Sequence, residues 1–545
     1  MSETDENQYT VRGGGLYLGE KRISDPIKVT ALSRTVANDG WKKTICFLNM
    51  DGEKCVCHLS QKTLLDKTET LKILGDLGFN LNCDPKNLVA YLLRAKPSKR
   101  LREVLKIGWI DQDTFICPSF SICGKENEEF FLSNGEDHGF AKKDSLEEWQ
   151  KEICGLCEGN SILTLALCAG LSGVLLNPLN LEPVMVNLVG RSSIGKTTAL
   201  YVAASLWGNP KKFIQQWRTT SNALEALAEN HNDCLLILDE LGQIQASEIG
   251  NTVYMLGNAK GKKRLNKDSE LKPSREWNLA VLSSGEIGIS EKIEESGKKA
   301  KAGQMVRCID IESLRSDELG IFDTLHDDIE NGAKFSNLLK QAALKHHGVA
   351  SEKFITSLVN ADINIRDIYE QQKRRLIEPL GNADGEVIRV AETFALFLLS
   401  GVLACRFKVF THREDELVEI ISEVFRHWLK ERGGKRSIEE NQVLEQLRGA
   451  LEINKGYFDQ VNNGVVIEAR SNIWWGIHEI SQDFEKYYIN TSAFKNELFK
   501  GFNQKSVRKI LSDKNILLLD HEGKNPKCPY TSPKNKRMVT LMYKL

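Results

Sequence analysis

The sequence predicts an α/β protein built on a doubly wound parallel sheet, with an α+β domain before it and a winged-helix-like domain after it. Three observations predict this. An apolar, β-branched run, Pro183-Val-Met-Val-Asn-Leu-Val189, passes through a glycine-containing turn into the helical pattern of residues 199–206. A second apolar run, Cys234-Leu-Leu-Ile-Leu-Asp239, ends in two acids, Asp239 and Glu240. Strand and helix patterns alternate between and after these runs, the order of a parallel sheet with crossover helices.

The turn itself reads Gly190-Arg191-Ser192-Ser193-Ile194-Gly195-Lys196-Thr197-Thr198 and fits the pattern G-x-x-x-x-G-K-[ST]. A strand, a glycine turn and a helix N-terminus together make an anion site, because backbone N–H groups and the helix dipole point the same way. Gly190 and Gly195 would allow the close turn. Lys196 would reach β- and γ-phosphates, and Thr197 would ligate Mg²⁺. Asp239 would complete the Mg²⁺ shell, and Glu240 would orient and polarise a water as general base. The cofactors this pattern calls for are ATP and Mg²⁺.

The rest of the composition is consistent with such a protein. A length of 545 residues suits two to four domains. Hydrophobic residues at 41% and charged residues at 27% are ordinary for a soluble globular chain. With a net charge of −1 there is no global field for a polyanion, so any basic surface must be local. Thirteen cysteines without a signal-peptide pattern suggest free thiols and a cytoplasmic location. Cys154-Gly-Leu-Cys157 lies in a helical pattern with no second pair at zinc spacing, and reads as core packing. Ile162 to Leu176 is apolar but shorter than the roughly 20 residues of a membrane span. It reads as a buried helix beneath the sheet, and no membrane partner is expected.

Taken in order, residues 1–125 read as an accessory α+β domain. Ile27–Leu32, Lys43–Leu48 and Lys54–Leu59 alternate like strands, and Asn49-Met-Asp-Gly52 is a hairpin turn. Helical patterns follow at 61–76 and 85–95, then a hairpin at 108–117. No catalytic constellation shows here; a collar, a partner-binding or a nucleic-acid-binding domain all remain open. Residues 126–180 read as a linker and base helices: Gly124–Lys143 is polar and Gly/Asn-rich, and Ser145–Leu176 is helical.

Residues 181–345 form the expected nucleotide-binding core. Ser221 or Asn222 would cap a helix running to His231, and Glu248–Leu256 is helical. Asn258 to Lys267 is a basic loop between sheet strands. Its Lys260, Lys262, Lys263, Arg264 and Lys267 would follow a nucleic-acid backbone, or form a plain solvated charge run. Trp277–Ser284 reads as a strand with a polar end. There Ser284, with Glu286 the weaker choice, stands where a γ-phosphate sensor belongs. Gly303–Ile311 reads as a strand led by Arg307, an arginine finger for a neighbouring subunit or one half of a local salt bridge.

Residues 346–436 form a helical, lid-like region. Arg389, near the start of a long apolar helix, is either a second sensor or the partner of Glu386 or Glu392. Residues 437–545 combine helices with a β-hairpin, which suits a winged helix. From 491 onward there are twelve Lys/Arg against four Asp/Glu, which favours a nucleic-acid or acidic partner over a solubilising tail.

These motifs together resemble a known family. Besides Gly190–Thr198, the residues are Ala203-Ala-Ser-Leu-Trp-Gly208, Trp217-Arg-Thr-Thr-Ser-Asn-Ala-Leu-Glu225, and Asn232-Asp233 before Leu238-Asp-Glu-Leu241. Tyr254-Met-Leu-Gly-Asn258 with Gly261-Lys-Lys-Arg264, Ser283-Ser-Gly-Glu286 and Gly303-Gln-Met-Val-Arg307 complete the set. They are similar to the family catalogued as domain of unknown function 927, over residues 9–436. That family sits in plasmids, prophages, and staphylococcal islands and cassettes, and some members look like minichromosome-maintenance-type helicases of the AAA+ class.

The resemblance implies an AAA+ P-loop core with a C-terminal winged helix. It implies a hexameric, ATP-driven DNA helicase or translocase that acts on single-stranded or forked DNA beside other replication proteins of a mobile element. It assigns Lys196 and Thr197 to nucleotide, Asp239 and Glu240 to Mg²⁺ and water, and Ser284 to sensing. Arg307 and Arg389 take the finger and second-sensor roles by looser analogy. One departure is Asn258-Ala259, where the family tends to show Asn-Gly. Two other readings share these residues: a loader or remodeller that does not unwind DNA, and an origin-binding initiator that keeps ATP for assembly. The intact Asp239-Glu240 pair argues against the last.

Overall fold

The computed structural model describes residues 9–123, 129–133, 139–265, 271–272, 274–298, 300–326, 329–435, 438–462, 464–481, 484–521, 524–530 and 538–544. They belong to two compact bodies. The first holds the chain up to residue 372 together with 393–424, and the second holds 373–392 with 425–545.

The first body begins with a small antiparallel sheet of Tyr9–Arg12, Gly15–Leu18 and Lys21–Ser24, followed by an antiparallel meander of β1 (Ile27–Thr35), β2 (Lys42–Leu48) and β3 (Lys54–Ser60). Period-two alternation puts Ile27, Val29, Ile45, Phe47, Cys57 and Leu59 on one buried face. The β2–β3 turn closes as its residues require: Gly52 sits at φ +82°, and Asn49 Oδ1 accepts from the N–H groups of Asp51 and Glu53. Three helices cover the apolar face: α1 (Gln61–Leu65), α2 (Lys67–Asp76) and α3 (Pro85–Arg94). Each is capped by a side chain suited to it, Ser60, Asp66 and Asp84 respectively. β4 (Arg100–Val104) then pairs parallel to β1. A small sheet follows, of β5 (Gly108–Trp109), β6 (Thr114–Cys117) and β7 (Phe120–Cys123).

The expected linker at 124–143 contains a strand. β8 (Glu129–Leu132) adds parallel to β4, making the order β8-β4-β1-β2-β3. The short Phe130-Phe131-Leu132 run, lost in a polar context, drives this. Phe131 stacks on His58 of β3 with ring centroids 4.0 Å apart, so the sheet curls until side chains of its two edge strands meet.

The expected continuous helix at 145–176 is also divided. α4 (Leu146–Trp149) continues as a π-helical turn at Gln150–Cys154 and a further turn to Cys157. The chain breaks where Gly159 takes φ +73°, and α5 (Ser161–Leu179) begins. α5 is buried on nearly every side, and Gly173 lies so close to the backbone of Cys234 that a Cβ would collide with its carbonyl. α5 and the later Gly385–Arg406 helix are long and apolar enough to cross a bilayer. However, 89% and 78% of their apolar windows are buried within the protein, as in core helices of a globular fold. Cys154 and Cys157 are fully buried, and burial pushes the Cys154 thiol up to about 12.

At the centre is a five-stranded, all-parallel sheet. Its strands are β9 (Val184–Val189), β10 (Gln215–Gln216), β11 (Leu235–Asp239), β14 (Ala280–Gly285) and β15 (Ile309–Glu312), in the order β10-β11-β14-β9-β15. Between β9 and β10 comes α6 (Lys196–Ser205); α7 (Ser221–Glu229) and α8 (Ala246–Gly257) follow β10 and β11. The two-residue strands β12 (Arg264–Leu265) and β13 (Leu271–Lys272) form a hairpin before β14. A polar thread crosses this apolar sheet. Trp217 Nε1 donates to Ser283 Oγ at 2.8 Å, Ser283 Oγ to Asn187 Oδ1 at 3.0 Å, and Asn187 Nδ2 to Asp310 Oδ1 at 2.8 Å.

Two local expectations shift. The cap of α7 is Thr220, whose Oγ1 accepts from Ala223 N, rather than Ser221 or Asn222. The expected strand at 303–311 starts only at Ile309. Residues 302–305 form a helical turn, because Gln304 Oε1 accepts from Lys301 N and caps it. Three helices then follow: α9 (Gly332–Lys345), α10 (Val349–Asn360) and α11 (Ile365–Ile377).

α12 (Gly385–Arg406) and α13 (Glu414–Glu431) each contribute to both bodies. In the second body α14 (Ile438–Ile453) precedes a five-stranded sheet of β16 (Phe458–Asn462), β17 (Val465–Ile467), β18 (Gly476–Ile480), β19 (Phe484–Asn490) and β20 (Met538–Lys544). α15 (Gln504–Asp513) lies between β19 and β20 and turns Val507 and Leu511 into the core. The β-hairpin expected in this region is reduced, on the 515–520 side, to a single bridge from Leu517 to Leu541.

The N-terminal sheet meets the central one at Asp233. Its Oδ2 accepts from Trp109 N at 3.0 Å, and Asn232 Nδ2 donates to Ile107 O at 2.9 Å. Gly108 sits at φ +103° so close that a Cβ would overlap Asp233 Oδ2. Burial raises the Asp233 carboxyl to about 6, against the pull of Trp109 N–H and Lys106. A carboxyl that holds its proton more tightly when folded contributes stability below about pH 4 and loses it as pH rises through 6. Between pH 4 and pH 7, urea unfolding of the wild type should therefore lose up to about 3 kcal/mol relative to Asp233→Asn. Equal pH slopes for the two proteins would contradict this.

Candidate nucleotide site

The site is built from the carboxyl ends of β9, β11 and β14. After β9 the chain folds through Gly190 at φ +156°, Ser193 at +63° and Gly195 at +106°. A Cβ on Gly190 would lie 2.5 Å from Ile194 Cδ1, and one on Gly195 would lie 3.1 Å from Ile321 Cγ1. α6 starts immediately afterwards with no capping side chain. Its first N–H groups thus remain available to an anion.

Lys196 is 8% exposed, and its Nζ donates to the carbonyls of Gly190 and of Arg191, the latter at 2.7 Å. Burial lowers its pKa, while Glu286, Asp239 and Glu312 pull it back up. Asp239 is equally buried at the end of β11. Its Oδ1 accepts from Ser284 Oγ, at the end of β14, and from Glu240 N at 3.0 Å. Glu240 is exposed and left-handed, with φ +61°, a costly conformation for a side chain of its kind. It accepts a hydrogen bond from Gln243 Nε2.

These groups border one cavity of about 1050 Å³. It is lined by Arg191, Ser192, Ser193, Ile194, Gly195, Lys196 and Thr197 from the turn, and by Asp239, Glu240, Ser284 and Glu286 from the strand ends. Thr198 is fully buried and engages Ser336 of α9 through its hydroxyl. Chemically, the cavity offers one helix N-terminus, the buried ammoniums of Lys196 and Lys292, a hydroxyl and a carboxylate suited to a hard cation, and in Glu240 a carboxylate open to water.

One wall was not legible. α9 lines the cavity with Ser336, Asn337 and Lys340. Burial lowers the Lys340 pKa, opposed by the charge of Asp239, and its Nζ lies 5.9 Å from the centre of the Tyr201 ring. No motif marks this helix, whose sequence is that of an ordinary amphipathic one. Lys292 also borders the cavity, donating to Gly242 O at 3.0 Å.

Arg307 does not border this cavity. Its guanidinium lies over the Tyr254 ring at 5.1 Å and donates to Gly303 O at 3.0 Å. Arg389 stands early in α12, in the part that belongs to the second body. The basic segment is a β-hairpin. Lys260 bridges and ion-pairs with Glu276 at 3.2 Å, Gly261 N donates to Arg275 O, and Lys262 N donates to Glu225 Oε1. Lys262 and Lys263 are exposed, Arg264 opens β12, and Lys267 lies outside the described residues. Ala259 takes φ +62°, a left-handed position that glycine adopts more readily.

A family model described as a domain of unknown function, DUF927, matches residues 5–276. The chain belongs to this family. The match runs from the N-terminal sheet through the glycine turn and acidic strand end to the foot of the basic hairpin. A solved structure titled "SCCmec type IV Cch - active helicase" aligns at a TM-score of 0.70 with 18% identity. The alignment covers 100% of this DUF927 chain and 98% of that one, so the two share a fold. The C-terminal region of NrS-1 aligns at 0.23 with 9% identity, covering 72% of this chain and 91% of that one. NtrX from Brucella abortus in complex with ADP aligns at 0.19 with 11% identity, covering 50% and 67%. Scores this low carry no argument about fold. No curated protein matches the sequence.

Lys196→Ala should abolish ATP hydrolysis. Glu240→Gln should still bind ATP but lose turnover by about 10²–10⁴-fold, read by nucleotide-binding titration beside a phosphate-release assay. Hydrolysis surviving in Lys196→Ala would sink the site.

Proposed function

We propose that this DUF927 protein is an ATP-dependent DNA translocase or helicase that works as a ring, a homo-hexamer, in replication of a mobile genetic element. The observation that supports this most is the convergence of Lys196, Thr197, Asp239, Glu240 and Ser284 on one cavity, in a sheet that also carries the basic hairpin. The fold shared with a protein titled an active helicase agrees with it.

In this reading the core is an AAA+ P-loop ATPase over residues 181–345. Residues 1–125 are an accessory domain, 126–180 a linker with base helices, 346–436 a lid-like region and 437–545 a winged helix. The succession β19, α15, β20, a helix packed on an antiparallel strand pair, supports the last, with Lys505 and Lys509 exposed on α15. All thirteen cysteines are free, as suits work in a reducing cytoplasm.

The turn from Gly190 to Thr197 cradles the phosphates, and Lys196 leaves its two carbonyls to meet them. Thr197 and Asp239 fit Mg²⁺, since both line the cavity and offer hard oxygen donors. When bound, the ion neutralises charge on the phosphate oxygens. Glu240 polarises the attacking water, and its left-handed backbone turns it out of the strand toward the solvent side. Ser284 fixes Asp239 through its hydroxyl and senses the γ-phosphate. Lys340 adds a further ammonium on the α9 side. Arg307, on leaving Tyr254, would complete the site of a neighbouring subunit, and Arg389 would serve as second sensor. Lys260, Lys262, Lys263, Arg264 and Lys267 track single-stranded or forked DNA, beside other replication proteins.

ATP hydrolysis measured in low salt with and without single-stranded DNA tests the whole reading. Wild type should be stimulated, and the Lys262→Ala/Lys263→Ala double variant should lose the stimulation. Stimulation equal to wild type would remove the hairpin from the mechanism. Wild-type hydrolysis indifferent to DNA would favour a loader or remodeller, or an initiator that does not unwind. Lys340→Ala should lower kcat at least tenfold with little change in ATP affinity, and Lys340→Arg should restore most of it. A change in affinity alone would deny Lys340 its role at the reacting phosphate.

A further inference from the structure

We propose that Glu148, Glu152 and His346 form a divalent-cation site separate from the nucleotide cavity, with Asp144 as its outer carboxylate. Glu148 and Glu152 stand one turn apart, the first on α4 and the second on the π-helical turn that continues it. π-Helical turns recur at functional sites, because they re-aim side chains at some cost to helix geometry. His346 directly follows α9 and is fully buried. One ligand atom from each of the three residues lies within 4.8 Å of the others.

The geometry around His346 is that of a metal-ligating imidazole held by a second carboxylate. Nε2 lies 3.0 Å from Glu152 Oε2, about the spacing of two adjacent ligands 2.1 Å from one octahedral ion. That Nε2–Glu152 contact is a hydrogen bond, whose proton an ion would replace; on the other side, Nδ1 lies 2.8 Å from Asp144 Oδ2, although the angle there does not satisfy a hydrogen bond. Histidines that bind metals through one nitrogen commonly face a carboxylate with the other, which fixes the ring and raises its basicity.

The backbone is built to bring these groups together. Asp144 takes φ +70°, and Lys143 and His347 exchange two backbone hydrogen bonds at 2.9 and 3.1 Å. Gly348, at φ +77°, passes so close to Ala141 that a Cβ would strike its carbonyl. Three carboxylates thus converge on one buried imidazole. The nearby cation is Lys345, 3.5 Å from the far oxygen of Glu152. That leaves an excess of negative charge that a divalent ion would offset. Carboxylates with a single imidazole suit Mn²⁺ or Zn²⁺, and no thiol is in the set. An ion here would clip the end of α9, whose other residues line the nucleotide cavity, to α4.

Mn²⁺ is the probe of choice, since thiolates elsewhere in the chain compete poorly for it. Chelator-treated, nucleotide-free protein is titrated with Mn²⁺ by calorimetry and by the electron-paramagnetic signal of the free ion. One Mn²⁺ per chain should bind, and Glu148→Gln or His346→Asn should weaken it at least tenfold with an unchanged circular-dichroism spectrum. Asp239→Asn, which alters only the nucleotide cavity, should bind as wild type does. Absence of binding, or binding equal in Glu148→Gln, overturns the site. So does loss in Asp239→Asn with retention in Glu148→Gln, which places the ion among the phosphate-site residues. Failure here leaves the ATPase reading untouched, because the two sets share no residue.

Discussion

The hydrogen-bonded thread from Trp217 through Ser283 and Asn187 to Asp310 is the constraint on which the rest of the first body depends. Hydrophobic burial would accept several orders for five short apolar strands, since it has no direction. A buried polar group without a partner costs about 1–3 kcal/mol, so a thread with a member on β14, β9 and β15 and an end beside β10 tolerates one order only. That order places β14 between β11 and β9. Ser284 therefore stands between Asp239 on one side and the glycine turn on the other. Asp310 completes the thread at a cost: burial lifts its carboxyl to about 6, and Asn187 and the Ile289 N–H only partly compensate.

Left-handed backbone recurs around the nucleotide cavity and the hairpin, as it does elsewhere in the chain. Gly190, Ser193 and Gly195 take positive φ in the turn, Glu240 does so at the acidic strand end, and Ala259 at the foot of the hairpin. Two of these are glycines, for which the conformation is nearly free. Ser193, Glu240 and Ala259 carry a Cβ, and hydrogen bonds hold the last two: Glu240 N donates to Asp239 Oδ1 and Glu240 O accepts from Gln243 N. Ala259 is secured because Ala259 N donates to Leu256 O while its own carbonyl accepts from Trp277 N. Alanine thus holds the hairpin root in a conformation that glycine would adopt more readily, at the expense of local stability.

Most of the elements that build the cavity were legible because local chemistry dictates them. A glycine turn between an apolar strand and a helix has few other folds, and neither does an apolar run ending in Asp-Glu. The same holds for the β2–β3 hairpin, whose Asn49 and Gly52 specify the turn. What escaped was set by distant partners. β8 pairs because Phe131 finds His58 across a curled sheet, and nothing near residue 131 announces that. The division of the 145–176 helix depends on Asn160 Oδ1, which accepts from Asp323 and Thr324 N–H groups far along the chain. α9 joins the site through Ser336 and Lys340, whose spacing is that of any amphipathic helix. Arg307 reads as a finger or one half of a salt bridge; its guanidinium instead lies over the Tyr254 face and donates to the Gly303 carbonyl.

The two ends of β14 connect features that the sequence presents as separate. Its carboxyl end carries Ser284, bonded to Asp239 in the nucleotide cavity. Its amino end follows Glu276, Trp277 and Asn278. Glu276 pairs with Lys260 at the hairpin root, Trp277 N donates to Ala259 O, and Asn278 N donates to Asn232 Oδ1 beside the Asp233 joint. A strand of six residues spans roughly 20 Å and resists stretching, because its ladder bonds tie it to both neighbours. In the proposed motor, a shift of Ser284 with the state of the phosphates would reach the hairpin root along β14 as a displacement rather than fade into a loop. The same displacement would load the joint at Gly108, where no Cβ could be accommodated, so the N-terminal sheet would feel each cycle as well. Coupling of the proposed hydrolysis to DNA and to the accessory domain would then need no long relay: one strand, with both ends committed to specific hydrogen bonds, would carry it.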